Sequence, residues 1–252
     1  MNMKLLHLFV LTSFLIGISL PALAQTDESV TKFRETLKAA EHRNPKAQYD
    51  LGDLYYAGIG VTQDYAEAVK WYRKAAEQGV IFAQMTLAEM YRDGDHVPLD
   101  DAEAVKWFRK AADRGYAPAQ YELGQMYKYG DGVDRDYVVM AEWTRKAAEG
   151  GYILAQKYLG DIYLNGVGVE QDFTEAARWY RKVAEIGDAD AQCSMGWLYH
   201  YGYGVPKDLD ESLKWYRMAA GQGLDRAKEA VRDIEEEIAE IKQTRHDRSN
   251  NR

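Results

Sequence analysis

The dipeptide Ala-Gln recurs five times along this chain at a fixed step of 36 residues. A tryptophan follows each of these alanines after 24 residues, and a glycine follows each tryptophan after eight more. A constant period of roughly 20 to 50 residues is typical of proteins built from stacked supersecondary units. The sequence therefore predicts a repeat protein. The five alanines are Ala47, Ala83, Ala119, Ala155 and Ala191, and the five tryptophans are Trp71, Trp107, Trp143, Trp179 and Trp215.

Apolar residues within each repeat follow the period of two α-helices separated by a turn. In the second repeat, residues 83–94 and residues 104–112 each place them three or four positions apart. Asp100 stands where a carboxylate can cap the second helix, and Gly115 stands where a left-handed residue ends it. One helical hairpin cannot bury its apolar stripe alone. We therefore predict an all-α fold, an α/α superhelical solenoid of helix-loop-helix repeats.

The repeats are predicted over residues 47–226, and the flanking segments have different patterns. A lone amphipathic helix is expected over residues 25–46 and another over residues 227–243, each capping one end of the stack, because end units need a polar outer side. The polar residues 244–252 are predicted to form a disordered tail.

Residues 1–24 are typical of a cleaved signal peptide. Lys4 is followed by an apolar stretch and then by small residues at Ala22 and Ala24, so the mature chain is expected to begin at Gln25. An uncleaved N-terminal anchor is the alternative, although the stretch is short for a membrane span. We expect a periplasmic or secreted bacterial protein without stable membrane insertion after cleavage.

The charge of the chain limits its partners. Lys and Arg total 32 against 40 Asp and Glu, which gives a net charge of −8. Nucleic acids and anionic membrane surfaces both require a basic patch, so neither is expected as the main partner. Cys193 is the only cysteine and cannot form a disulfide within the chain. A packed helix residue, an intermolecular disulfide and a reactive thiol are all open interpretations of it.

The residues of one repeat resemble a known pattern. From Ala47 to Gly79 the chain has Ala-Gln-x-x-Leu-Gly-x-x-Tyr-x-x-Gly-x-Gly-Val-x-x-Asp, then Ala-x-x-Trp-Tyr-Arg-Lys-Ala-Ala-x-x-Gly. This pattern resembles the Sel1-like repeat, a relative of the tetratricopeptide repeat. The resemblance implies a solenoid that serves as a protein-interaction scaffold or adaptor. A cysteine-rich branch of the family implies the alternative, a cell-wall-related hydrolase or a β-lactam-binding protein, but this chain lacks the cysteines of that branch.

Catalytic motifs are absent from the sequence. It contains no His-Glu-x-x-His pair and no Gly-x-Ser-x-Gly elbow. The Gly-x-Gly turns lack the third glycine of a dinucleotide loop. Ser29 and Lys32 have the Ser-x-x-Lys spacing, but the partner motifs of that chemistry are missing. We expect no enzymatic activity, no catalytic residue, no cofactor and no metal ion.

The candidate site lies on the first helix of each repeat. Counting from the Ala of Ala-Gln as place 1, packing uses places 1, 5, 8, 9 and 12, which leaves places 3, 7 and 10 as a free stripe with places 4 and 11 beside it. Aromatic and arginine side chains are enriched in binding hot spots, and Trp197 is the one tryptophan outside the repeat phase. We expect an aromatic strip on the concave face that binds a protein or peptide; inter-repeat packing or simple solvent exposure of these tyrosines is the competing interpretation. The candidate residues are Trp197, Tyr201, Tyr158, Tyr121, Tyr129, Tyr49, Tyr56 and Arg92.

Overall fold

The computed structural model describes residues 27–250, and the predicted signal peptide lies outside these residues. All regular secondary structure in this described part is α-helical, in agreement with the predicted all-α class. The chain divides into two compact units, one ending at Arg114 and the other beginning at Gly115. Each unit is described by itself.

Successive helices are joined by short loops in both units. The first unit contains α1 (Asp27–Glu41), α2 (Pro45–Ala57), α3 (Tyr65–Glu77), α4 (Ile81–Asp93) and α5 (Asp101–Ala112). The second unit contains α6 (Ala117–Tyr129), α7 (Tyr137–Glu149), α8 (Ile153–Asn165), α9 (Phe173–Glu185), α10 (Ala189–Tyr201), α11 (Leu209–Gly221) and α12 (Asp225–Asn250). Within each unit every helix packs against the next one in the chain, as expected for helix-loop-helix repeats.

Recurring residues set the ends of these helices. The aspartate before each second helix accepts a hydrogen bond from a backbone N–H of the first helical turn, which satisfies a donor that the helix itself leaves unpaired. A glycine with positive φ ends each first helix, because only glycine adopts that conformation without strain. The capping aspartates are Asp64, Asp100, Asp136, Asp172 and Asp208. The glycines are Gly58, Gly94, Gly130, Gly166 and Gly202.

The five in-phase tryptophans are buried and serve as packing anchors of the repeats. None is more than 8% exposed. In three repeats a lysine one turn later lies over the indole ring, with Nζ 3.6 to 3.9 Å from the ring centroid. A cation at this distance is attracted by the negative face of the ring. The lysines are Lys74, Lys110 and Lys146.

Glycine recurs inside the first helix, where it weakens helix formation, because a side chain from the second helix covers it. A Cβ on Gly52 would lie 2.5 Å from the ring of Tyr72, and a Cβ on Gly160 would lie 2.7 Å from the ring of Tyr180. The ring of Tyr216 makes the same close approach at Gly196, whereas Thr144 and the Met140 carbonyl lie closest to Gly124. The second repeat has Ala88 at this place, which is itself fully buried.

The glutamine of Ala-Gln joins each repeat to the helix before it. Its Nε2 donates to an alanine carbonyl eight residues earlier, near the C-terminal end of the preceding helix, at 2.9 to 3.1 Å. Each of these carbonyls also accepts a backbone N–H from three residues further along the chain, at 3.0 or 3.1 Å. The glutamine is therefore a second donor, and it ties the first helix of one repeat to the end of the helix before it. The pairs are Gln48 with Ala40, Gln84 with Ala76, Gln156 with Ala148, and Gln192 with Ala184.

The second glycine of the Gly-x-Gly loop rests on the backbone of the preceding repeat. A Cβ on Gly168 would lie 1.9 Å from the carbonyl oxygen of Tyr137, and one on Gly204 would lie 2.1 Å from that of Phe173. The second repeat has His96 at this place, with a positive φ of 57° that is uncommon for a residue other than glycine. Its ring stacks on Tyr65, with centroids 3.3 Å apart.

The last helix is longer than the sequence predicted. Helix α12 continues to Asn250, whereas a cap over residues 227–243 and a disordered tail over residues 244–252 were expected. No glycine or proline follows Gly223, so no strong helix breaker interrupts this segment. The polarity that suggested disorder therefore reflects a helix exposed on most of its surface.

Candidate functional site

A groove lies on the first-helix face of the second unit. It has a volume of about 370 Å³. Leu164 of α8, Trp197 of α10 and Ala230 of α12 contribute to its walls, so it lies across three successive first helices. Its floor includes the Tyr180 and Tyr216 rings that cover the helix glycines. The stripe predicted from places 3, 7 and 10 therefore borders a real depression at Leu164 and Trp197.

Four aromatic rings gather beside this groove and form what we call the Trp197 cluster. Trp197 lies 5.4 Å from Tyr201 and 5.1 Å from Tyr203, measured between ring centroids. Tyr203 also stacks on Phe173 at 4.8 Å. Tyr201 is 52% exposed and Tyr203 is 39% exposed, so the cluster presents aromatic surface to solvent. Trp197 itself is half-buried and packs against the core.

Tyr121, Tyr129 and Tyr158 form a second group around a lysine. Lys128 Nζ lies 4.8 Å from the ring centroid of Tyr129 and 4.7 Å from that of Tyr158. Tyr121 lies 6.3 Å from Tyr158 and 5.4 Å from Tyr152. Tyr129 is the most exposed of the three predicted residues, at 62%. The predicted aromatic strip of the second unit thus consists of two clusters.

The predicted residues of the first unit are engaged in contacts within that unit. Tyr49 packs on Tyr72 at 5.6 Å, and burial raises the pKa of its hydroxyl to about 12. Tyr56 donates a hydrogen bond to Asp95 at 3.0 Å. Arg92 pairs with Asp93 at 2.8 Å and lies over the ring of Phe108. For Tyr49, Tyr56 and Arg92 the contacts favour the packing interpretation.

Two members of the Trp197 cluster were missed by the sequence analysis. Phe173 is the first residue of a second helix, and Tyr203 is the central residue of a Gly-x-Gly loop that was interpreted only as a turn. Gly204 brings them together because it rests on the Phe173 carbonyl. The sequence did contain one signal for Tyr203, because it is the only aromatic residue at this loop position. The corresponding residues of the other repeats are Ile59, Asp95, Asp131 and Val167.

Charged pairs hold α12 beside the cluster. Arg226 binds Asp190 at 2.5 Å, and Glu237 binds His200 at 2.7 Å and Lys207 at 3.2 Å. The hydrogen bond with His200 lowers the pKa of the Glu237 carboxyl below its usual range. The cations at this edge of the groove are thus already paired with carboxylates of the same unit.

The described residues offer little for catalysis or metal binding. Between residues 27 and 250, no group of three or more His, Cys, Asp and Glu side chains could hold a metal ion. In the same residues no helix has the length and apolar character needed to cross a bilayer. Cys193 lines the groove, and burial raises the pKa of its thiol, which disfavours the nucleophilic thiolate. Its surroundings support the interpretation as a packed helix residue.

These features define an α/α repeat protein with an exposed aromatic surface on its first helices. The Sel1 repeat family matches the chain over five consecutive ranges of 36 residues, and the protein belongs to this family. Sel1 repeats typically mediate protein interactions and generally form non-catalytic scaffolds. The matched ranges are 45–80, 81–116, 117–152, 153–188 and 189–224.

Two solved structures carry the same repeats. One is a protective antigen present in uropathogenic Escherichia coli strains, which is 36% identical with a TM-score of 0.72 over 92% of this chain and 51% of that chain. The chain therefore spans about half the length of this relative. The other is a Sel1 repeat protein from Oxalobacter formigenes, 35% identical with a TM-score of 0.66 over 76% of this chain and 84% of that chain. They establish the all-α superhelical repeat fold class. A comparison with the curated proteins finds no match.

Proposed function

We propose that the protein is an exported scaffold or regulatory adaptor, and that it binds a partner polypeptide through the first-helix face of its second unit. The observation that carries this proposal is the Trp197 cluster beside the 370 Å³ groove. Trp197 packs against the core, but it is not part of the shared repeat pattern, because its place is filled by unrelated residues in the other repeats. Exposed Trp and Tyr at the edge of a depression are typical of binding hot spots.

The physical basis of binding would be burial of aromatic surface. Tyr201 and Tyr203 lie partly in water, and a partner that covered them would remove their apolar area from solvent. Their rings are already held by mutual stacking at 5.8 Å, so little side-chain freedom would be lost on binding. A rigid aromatic platform therefore favours association.

Affinity capture from the cell envelope of the native host, followed by mass spectrometry, tests this proposal. We expect the wild-type chain to retain a defined partner and Tyr201→Ala to lose most of it, because truncation of an aromatic hot spot costs about 2 kcal/mol or more. Tyr137→Ala is the matched control, since Tyr137 is also an exposed tyrosine, 41% exposed at the start of α7. Equal retention by both variants, or no partner at all, would contradict the proposed surface.

Export is a separate part of the proposal. It rests on the pattern of residues 1–24, which ends in the small residues that a signal peptidase requires. Expression of the full chain in a Gram-negative host, with N-terminal sequencing of the periplasmic fraction, should give a product that begins at Gln25. A product found only in the cytoplasm would contradict export.

A further inference from the structure

The free stripe of the first helices continues onto α12. Ala227 and Ile234 of α12 are buried, and they correspond to places 1 and 8 of a repeat. Helix α12 therefore packs in the same phase as α10, and its places 3, 7 and 10 lie on the side that carries Trp197. Those places are occupied by Glu229, Asp233 and Glu236, all of which are exposed.

This edge of the groove carries unpaired negative charge. Among the described residues Glu229, Asp233 and Glu236 make no ion pair, and the neighbouring cations Arg226, Lys207 and Lys228 are already bound by carboxylates. The exposed Arg232 offsets one of these three negative charges, so the stripe keeps a net negative charge. Asp233 is close enough to raise the pKa of the buried Tyr216 hydroxyl, after burial itself and nearer groups, and Tyr216 lines the groove. Asp233 therefore lies near the groove residue Tyr216, and Glu229 and Glu236 lie on the same stripe of α12.

We propose that the groove and the Trp197 cluster bind a basic segment of the partner polypeptide, one in which lysine or arginine alternates with apolar residues. This inference rests on the proposed function and names the chemistry of its partner. An ammonium or guanidinium group is attracted both by aromatic faces and by the carboxylates of α12, while the aliphatic stem of the same side chain packs on the rings. Apolar side chains at the alternate positions fit a groove walled by Leu164, Trp197 and Ala230.

Binding of a fluorescein-labelled 12-residue peptide of alternating lysine and leucine, measured by fluorescence anisotropy with the full chain, tests the inference. We expect the double variant Asp233→Asn, Glu236→Gln to weaken binding about fivefold at low salt, because each exposed charge contributes modestly. The double variant Glu185→Gln, Asp210→Asn changes the charge equally on the second helices and should bind like wild type. Raising the salt concentration should abolish the difference between the two double variants.

The outcomes separate this inference from the proposed function. Equal affinity of both double variants, or equal binding of a glutamate-leucine peptide, would overturn the inference that the partner segment is basic. The proposed aromatic binding surface would then still be tested by Tyr201→Ala. Loss of affinity in Tyr201→Ala, with normal affinity in Tyr137→Ala, is expected if both proposals hold. A dimer of the wild-type chain in light scattering that became a monomer in Tyr201→Ala would indicate that a second copy occupies the groove, and would overturn the inference.

Discussion

Gly196 in α10 is covered by the ring of Tyr216, and we predict that replacing it with alanine destabilises the second unit. The new Cβ would lie 2.8 to 2.9 Å from three carbons of that ring, against an ordinary carbon–carbon contact of about 3.5 to 4.0 Å. The ring would therefore have to retreat by roughly 0.7 Å. The atoms concerned include Cγ, which lies on the Cβ–Cγ axis, so flipping the ring about that bond cannot relieve the contact.

Two opposing effects set the size of the change. Overpacking of a filled core costs about 1 to 3 kcal/mol, while alanine in place of glycine returns about 1 kcal/mol through its helix propensity. We expect Gly196→Ala to lose about 1 kcal/mol of stability on balance. Gly221→Ala is the matched control, because Gly221 also lies in a helix but a Cβ there would meet nothing within 4 Å. That variant should gain about 0.5 to 1 kcal/mol.

Urea unfolding followed by circular dichroism compares the two variants with wild type. The midpoint should fall for Gly196→Ala and rise for Gly221→Ala, and a crystal structure of the first variant should show Tyr216 displaced. If Gly196→Ala unfolds at the wild-type midpoint or above it, the ring does not press on the helix. The recurring glycine would then need an explanation other than close approach.

Three further predictions concern the repeats and the absence of catalysis. Gln192→Ala should lower the unfolding midpoint by an amount equivalent to about 1 kcal/mol, because it removes the side-chain donor to the Ala184 carbonyl, which keeps its hydrogen bond from the Gly187 N–H; Gln243→Ala, on the exposed end of α12, should change nothing. Burial raises the pKa of the Asp53 carboxyl to about 6, above its unfolded value near 3.9. The folded state therefore favours the protonated carboxyl: its stabilising contribution is complete below about pH 3.9 and is lost as the pH rises through about 6, where the buried carboxylate becomes charged. Asp53→Asn should therefore stabilise the protein by about 2 kcal/mol at pH 8 and hardly at pH 4, in urea titrations at both values; parallel shifts at both would contradict the assignment. The purified chain should not turn over a chromogenic β-lactam, and measurable turnover would support the hydrolase alternative instead.

The sequence predicted the architecture because the same local signals for helix ends and core packing recur in every repeat. The capping Asp100, the left-handed Gly115 and the buried Trp107 are all found where the period placed them. These features depend on contacts within one repeat or with the next. Five copies of each signal therefore made the pattern far more certain than any single helix would have been.

The candidate site was predicted less completely, because it is formed by residues that differ between repeats. The sequence does not show which of these residues come into contact. Trp197 and Tyr201 are visible in the sequence, but Phe173 stands 30 residues before Tyr203 and reaches it only through the loop contact at Gly204. The hydrogen bond from Gln192 to the preceding helix was also missed, because its acceptor is a backbone carbonyl, which every residue has and which therefore leaves no signal in the sequence. Tyr56 shows the opposite error: it was predicted to bind a partner, but its hydroxyl donates to Asp95 in the loop of the next repeat.

The seating of a loop glycine on a backbone carbonyl has a consequence for how such chains change over evolutionary time. Gly168 and Gly204 meet main-chain atoms, which every amino acid supplies, so the joint between neighbours hardly depends on the side chains of either. A duplicated or inserted repeat could therefore pack on its neighbour through the same backbone contact. Evolution can add repeats, or exchange a repeat that carries binding residues, without changing how neighbouring repeats pack.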